Sequence, residues 1–296
     1  LTGAIDLNVI QVRLLTQPVS PALVSTALLL ILVGLGFKIS MAPFHMWAPD
    51  IYEGAPTPVT AFLTVGPKAL GFALLLRVLH TSFFELWNQW SYLLAVLSMF
   101  TMTIGNVIAI SQTNVKRLLG YSSIAQAGYI LMGLCVSSAL GVTGVLVYLV
   151  AYALTNLGAF LCVIAVSNHS GSDEIDAYAG LAQKSPFLAF SLALFLLSLA
   201  GIPPLAGFIG KLYVFASAIE GRFFTLAVVA ALNSAVAAYY YFKIVRLMYL
   251  VPAESPEPIT RPAALFVALV LTLAGILVLG IFPSPFIEFV ERSLIL

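Results

Sequence analysis

The chain has 296 residues, of which 61% are hydrophobic and only 8% charged, against roughly a quarter charged in soluble domains. A soluble fold of this length could not hide so much apolar surface, and the apolar runs of about 20 residues that recur from Pro21 to Phe282 are each long enough to cross a membrane's hydrocarbon core. A net charge of +1, from 13 basic and 12 acidic residues, leaves no basic surface for nucleic acid.

Residues 1–20, with Asp6, Arg13 and Pro18, are mixed in polarity and are expected to be an extramembrane connection leading into a transmembrane helical bundle over 21–296. About eight spans are predicted from the apolar runs. The first four run from Pro21 to the Ile51 region, Thr57 to Leu79, Tyr92 to Ile110 and Lys116 to Val136. The last four run from Leu140 to Ser167, Ser185 to Ile219, Phe223 to Val251 and Pro262 to Phe282. The polar stretch 168–185 reads as an extramembrane insertion, and Pro252 to Pro262 is too rich in proline to be helical. Cys135 and Cys162 lie in apolar runs with no metal-ligand spacing around them and read as packing residues, so no metal site is expected. The chain does not begin with methionine and is expected to be the later part of a longer polypeptide.

Eight spans place alternate connections on opposite sides of the membrane. The side of the first-to-second connection carries Lys116, Arg117, Lys184, Lys243, Arg246 and Arg261, and the other carries Arg13, Arg77, Arg222 and Arg292. The basic excess places the first set in the cytoplasm, or in the matrix of an organelle.

Three basic residues are not accounted for by connections: Lys38, Lys68 and Lys211 fall inside predicted spans. Three lysines at membrane depth would cost on the order of 8–10 kcal/mol, which argues for function over snorkelling to an interface. Two of the three sit beside helix breakers. Gly34, Gly36 and Pro43 bracket Lys38, while Pro203 and Pro204 precede Lys211. Interrupted helices are tolerated at depth where protein or a water-filled cavity satisfies the freed backbone, so the first and sixth spans are expected to be discontinuous and locally wet. The bland alternative is a pair of proline kinks in a packed bundle.

None of the twelve carboxylates falls in the middle of a span. The lysines are therefore expected either to be neutral or to find an anion on a missing segment or a neighbouring subunit. Ser122, Gln126 and Tyr129, and Tyr148, Tyr152 and Asn156, recur at helical spacing and share a face in each case. They are candidates for a proton path, set against the common alternative of interhelical hydrogen bonds. His45, after Pro43, is a candidate relay, whereas His80 and His169 sit at or outside span ends and read as solvated. A dinucleotide fingerprint, a phosphate-binding loop and a potassium-filter sequence are all missing, so the chemistry expected of this chain is proton movement, with no cofactor of its own.

The runs GLGFKISMAPFHMWAPDIYEGAPTPVTAFLTVGPKALGFALLLR, ISQTNVKRLLGYSSIAQAGYILMG and LSLAGIPPLAGFIGKLYVF together resemble subunit N of bacterial NADH-quinone oxidoreductase, the counterpart of organellar subunit 2. The resemblance covers essentially the whole chain. It implies an all-α polytopic membrane protein corresponding to the last eight helices of a fourteen-helix antiporter-like fold with inverted repeats, in which the first and sixth spans correspond. It also implies that Lys38, Lys68 and Lys211 are the proton-transfer lysines, with the carboxylate partner of Lys38 upstream of Leu1. The implied setting is the membrane arm of a respiratory complex in the bacterial cytoplasmic membrane. NADH, FMN, iron–sulfur clusters and quinone would lie on other subunits, and the partners here are other membrane-arm subunits, the lipid bilayer, protons and water. Two further readings stay open: a cation/proton antiporter subunit of a non-redox complex, and a structural membrane scaffold.

Overall fold

A computed structural model describes residues 1–253, 257–259 and 262–294. The helices are α1 (Leu7–Thr16), α2 (Pro21–Ile39), α3 (Trp47–Gly54), α4 (Thr57–Ser82), α5 (Trp87–Ile110), α6 (Val115–Leu134) and α7 (Ala139–Ser170). They continue as α8 (Leu181–Lys184), α9 (Pro186–Ala200), α10 (Ala206–Glu220), α11 (Phe224–Leu250), α12 (Ala263–Ile281) and α13 (Ser284–Ser293). Among the described residues the other regular elements are two 3-10 turns, at Phe84–Leu86 and Ile175–Tyr178, and an isolated bridge between Asn114 and Glu174.

Local chemistry sets several boundaries. Proline occupies the first turn of α2, α4 and α9, where its missing N–H costs no helical bond. Asn114 accepts from Arg117 N to cap α6, and Ser138 accepts from Gly141 N to cap α7. At the other end of α7, Gly171 turns the chain in the left-handed region, a common helix stop.

Six helical stretches are long and apolar enough to cross a membrane: Pro21–Ile39, Thr57–Ser82, Phe84–Ile110, Ala139–Ser170, Phe224–Leu250 and Ala263–Ile281. The other two predicted spans differ from these in a physical way. α6 has 20 residues but is less apolar, because it occupies the centre: every residue from Ser122 to Leu134 is buried, so its polar side chains meet protein. The predicted sixth span is two helices, α9 and α10, and the predicted first span is α2 followed by the separate helix α3.

The stretch 1–20, expected to be a plain connection, contains α1, capped by Asp6 and held to the end of α4 by a hydrogen bond from Ser82 Oγ to Leu7 O at 3.0 Å. Past Phe282 the chain forms α13, which was not expected; its Ile287 and Val290 are buried beside Val147 of α7 and Ile209 of α10. At ten residues it is too short to register among the apolar runs. The predicted loop from Pro252 to Pro262 lies partly outside the described residues, and those described within it are not helical.

Alternate connections gather at opposite ends of the bundle. At one end Arg117 pairs with Asp50 and Glu53, Ile175 N donates to Thr113 O at 2.7 Å, and Ala253 N donates to Gln183 Oε1 at 3.1 Å. At the other, Trp87 Nε1 donates to Cys135 O at 3.1 Å and Ser138 Oγ donates to Glu220 Oε2 at 3.0 Å. Outer helices turn large apolar side chains such as Leu232, Leu271 and Val278 outward. That pattern suits a hydrocarbon surround.

Candidate functional site

Lys68 lies near the middle of α4, directly after Pro67, and is 2% exposed. Its Nζ donates to Ser123 O at 2.9 Å and to Ser123 Oγ at 2.5 Å, and it stands 5.9 Å from the centroid of the Tyr52 ring on α3. One turn back on α4, Thr64 Oγ1 accepts from Asn156 Nδ2 at 2.6 Å, and Thr64 O accepts from Tyr152 OH at 3.2 Å. The Asn156 Oδ1 is buried without a hydrogen-bond partner.

Lys211 lies in α10, which follows α9 after the non-helical residues 201–205, and is 5% exposed. Its Nζ donates to Ala200 O, the last residue of α9, at 2.8 Å and to Ser234 Oγ of α11 at 3.2 Å, and it faces the Tyr129 ring at 4.5 Å from the centroid. The break therefore supplies the lysine's partner: where the helix stops, a carbonyl is released from the ladder and meets the amine. Gly201 makes this approach feasible. Its backbone is left-handed at φ +88°, and a Cβ there would lie 2.6 Å from Lys211 Cδ.

Lys38 is in the last turn of α2, half-buried, with its stem beside Gly71 of α4. α2 ends at Ser40, a left-handed residue, and the chain passes through a cis Ala42–Pro43 bond and His45 before α3 begins. His45 is buried and its Nδ1 has no hydrogen-bond partner. The second break contains a cis Pro203–Pro204 bond.

Between the two buried lysines, Tyr148 OH donates to Gln126 Oε1 at 2.5 Å, joining the two polar stripes seen in the sequence. Gln126 Nε2 donates to Leu199 O at 3.0 Å, and Ser122 Oγ and Tyr241 OH are 2.5 Å apart. Tyr129 OH accepts from Asn106 Nδ2 at 3.1 Å. The named stripe residues thus converge on the region between α4 and α10. They do so as two clusters, one around Lys68 and one around Lys211, with Lys38 and His45 beside the first break.

Sequence reasoning missed half of this lining. Asn106 on α5 and Asn233, Ser234, Tyr240 and Tyr241 on α11 supply partners: Tyr240 OH donates to Asn106 Oδ1 at 3.0 Å, and Asn106 Nδ2 donates to Asn233 Oδ1 at 3.2 Å. The available signal was asparagine inside an apolar run, a polar side chain that is costly in hydrocarbon. One assignment is corrected. His80 is not solvated: it sits inside α4 with its ring against Phe84 and Trp90 and a buried Nε2, because α4 continues three residues past the predicted end. Lys116, placed by the sequence at the start of the fourth span on the side of the first-to-second connection, is buried with its Nζ 3.0 Å from Asp173 and 3.1 Å from Ala55 O. His169 is exposed, as read from the sequence.

Residues 1–237 match a family described as NADH:quinone oxidoreductase/Mrp antiporter, transmembrane. Among curated relatives, an NADH-quinone oxidoreductase subunit N from Moorella thermoacetica is 47% identical over 279 residues, covering 94% of this chain and 58% of the relative. A chloroplastic NAD(P)H-quinone oxidoreductase subunit 2 from Chlorokybus atmophyticus is 41% identical over 305 residues, covering 99% of this chain and 60% of that one. The chain thus spans about three fifths of the length of the curated relatives it matches. Among solved structures, a chain of respiratory complex I from Thermus thermophilus with bound aureothin superposes with a TM-score of 0.79 at 37% identity, over 93% of this chain and 61% of that one. A chain of the Mrp complex from a Dietzia species shares the fold, with a TM-score of 0.89 at 22% identity, over 99% of this chain and 62% of that one. With four fifths of its length matched and its all-helical bundle common to these structures, the chain belongs to the NADH:quinone oxidoreductase/Mrp antiporter family of membrane proteins.

Proposed function

We propose that this chain is the proton-translocating part of a membrane-arm subunit in a complex I-type NADH:quinone oxidoreductase. The observation that carries the reading is the pair Lys68 and Lys211. Both are buried in the bundle core, and both are held by uncharged oxygens rather than by a carboxylate. A lysine amine placed in this way has a low-cost neutral form, with two N–H donors for its two oxygen partners and a lone pair free to take a proton. Gaining and losing that proton requires only brief hydration. Buried ionisable groups of this kind mark proton relays in membrane proteins.

In this reading Lys38 and Lys68 take up a proton from the side of the α3–α4 connection, and Lys211 passes it toward the opposite side. His45 and the Ser122, Gln126, Tyr129, Tyr148, Tyr152 and Asn156 side chains line the way. Eight spans cross the membrane, the bacterial cytoplasmic membrane, and two of them are discontinuous: α2 with α3, and α9 with α10. The break at Pro203 and Pro204 leaves the Ala200 carbonyl to Lys211, and the break at Pro43 follows directly after Lys38 at the end of α2. NADH, FMN, iron–sulfur clusters and quinone belong to other subunits, whose redox work changes the hydration and charge along the lysine row.

Sealed vesicles carrying the assembled complex test the reading. Lys68→Ala is expected to abolish or strongly reduce proton uptake per NADH oxidised while assembly is retained; unchanged pumping and turnover would make Lys68 structural and the subunit a scaffold. The matched family also takes in Mrp antiporters, which favours a second reading, a cation/proton antiporter subunit using the same lysines. Co-purification with flavin- and iron–sulfur-containing subunits separates the two.

A further inference from the structure

The helix that follows the first break lies over Lys68. In α3, Tyr52 is fully buried: its ring faces Lys68 Nζ, its OH donates to Leu63 O at 3.4 Å, and its carbonyl accepts from Thr60 Oγ1 at 2.9 Å. With Ala48 and Ile124 it forms a small apolar cluster separate from the main core. Non-helical residues flank α3 on both sides, at 40–46 and 55–56.

Two consecutive residues at the start of α6 fasten this helix. Arg117 Nη1 is 2.9 Å from Asp50 Oδ1 and 2.6 Å from Glu53 Oε2, two carboxylates at i and i+3 on one face of α3. Lys116 Nζ meets Ala55 O, at the C-terminal end of α3, and Asp173 from the connection after α7. A cation at the carbonyl end of a helix is stabilised by the aligned peptide dipoles. The fastening is graded in depth: the Asp50 side chain is 70% exposed and that of Arg117 33%, whereas Tyr52 and Lys68 beneath are 0% and 2% exposed. Ion pairs at the rim are weak, roughly 1 kcal/mol or less, so they can open without disturbing the core.

We propose that α3 is a lid over Lys68 and that Arg117, with Lys116, is the positioning residue that holds it shut. With Arg117 released from Asp50 and Glu53, α3 lifts, Tyr52 leaves the lysine, and water from the side of the α3–α4 connection reaches the amine. The same helix, α6, carries both the latch and Ser123, the partner of Lys68, six residues further on, so movement of the latch is transmitted to the amine's hydrogen bonds. This inference rests on the proposed role of Lys68 as a proton carrier, but the lid itself can be read without measuring pumping.

Ile124 is buried under the lid and belongs to neither the latch nor the proton path, which makes Ile124→Cys a suitable reporter. The assembled complex is treated with a membrane-impermeant thiol reagent, and labelling of this subunit is followed by mass spectrometry, with buried Cys135 as an internal control. The reporter is expected to be protected when Arg117 is intact, to react about fivefold faster with Arg117→Gln, and to regain protection with Arg117→Lys, which restores the cation. Cys135 should not change in any of them. Equal reporter rates in all three backgrounds would overturn the lid. If Arg117→Gln prevents assembly, the double change Asp50→Asn with Glu53→Gln removes the same pairs from the exposed side and is judged by the same comparison. Faster labelling together with normal pumping in Lys68→Ala would leave the lid standing and refute the proton-carrier reading.

Discussion

Lys68 of α4 is bound twice by one residue of α6: its Nζ donates to the carbonyl of Ser123 at 2.9 Å and to the hydroxyl of the same residue at 2.5 Å. The hydroxyl is the adaptable half of this pair, since it can rotate to keep accepting from the amine as the amine gains or loses a proton. Ser123→Ala keeps the carbonyl and removes that adaptability. It is expected to lower proton pumping several-fold in the assembled complex at a stability cost of about 1 kcal/mol. Pumping and thermal unfolding measured on the same preparation check both parts.

Gly201 bears on the second lysine. An alanine there would occupy the left-handed region, costing about 1 kcal/mol, and its Cβ would press on Lys211 at 2.6 Å from Cδ. Gly201→Ala should therefore displace the amine from Ala200 O and depress pumping nearly as far as Lys211→Ala does. Equal pumping in Gly201→Ala and wild type would show that the close approach at the break is not needed.

Asn106 joins three helices, with Tyr129 of α6 and with Asn233 and Tyr240 of α11 on its two amide atoms. Asn106→Leu leaves the Tyr240 hydroxyl and the Asn233 carbonyl unpaired in the core. The expected loss is about 1–3 kcal/mol per stranded group, read as a lower unfolding temperature of the solubilised complex. The change is expected to slow pumping as well, because Tyr129 loses a hydrogen bond while facing Lys211.

α5 and α6 cross closely at Gly128, where a Cβ would fall 2.5 Å from Met102 N. Small residues at such crossings let helix backbones approach, and van der Waals packing supplies much of the attraction between helices in a membrane. Gly128→Val is expected to push the helices apart at a cost of about 1–3 kcal/mol, giving reduced yield of assembled complex. Assembly equal to wild type would show that the crossing can spread without penalty.

Much of the site was legible in the sequence for an energetic reason. A lysine in an apolar run is expensive, so Lys68 and Lys211 stand out against their neighbours, and prolines beside them advertise breaks. The partners were harder to read. Ser123, Ser234 and Thr64 are ordinary small polar residues whose importance lies in where another helix presents them. The burial of Lys116 could not be read from its neighbours in the sequence because its anchors, Ala55 and Asp173, come from two other connections. α6 looked like a span comparable to the rest, and its buried central position became evident from its neighbours alone.

Composition and run length by themselves determined that this is a helical membrane protein with costly cations inside it. In hydrocarbon every backbone polar group must be satisfied within its own segment, so long apolar runs become helices whatever surrounds them. Tertiary structure decided what those cations meet. Ser123, the partner of Lys68, lies 55 residues away in the chain, and the Lys211 partners Ala200 and Ser234 lie 11 and 23 residues away, all on other helices brought alongside by packing. Local sequence carries no record of such distances, because the free energy of a buried amine depends on the oxygens within hydrogen-bond reach and not on its neighbours in the chain.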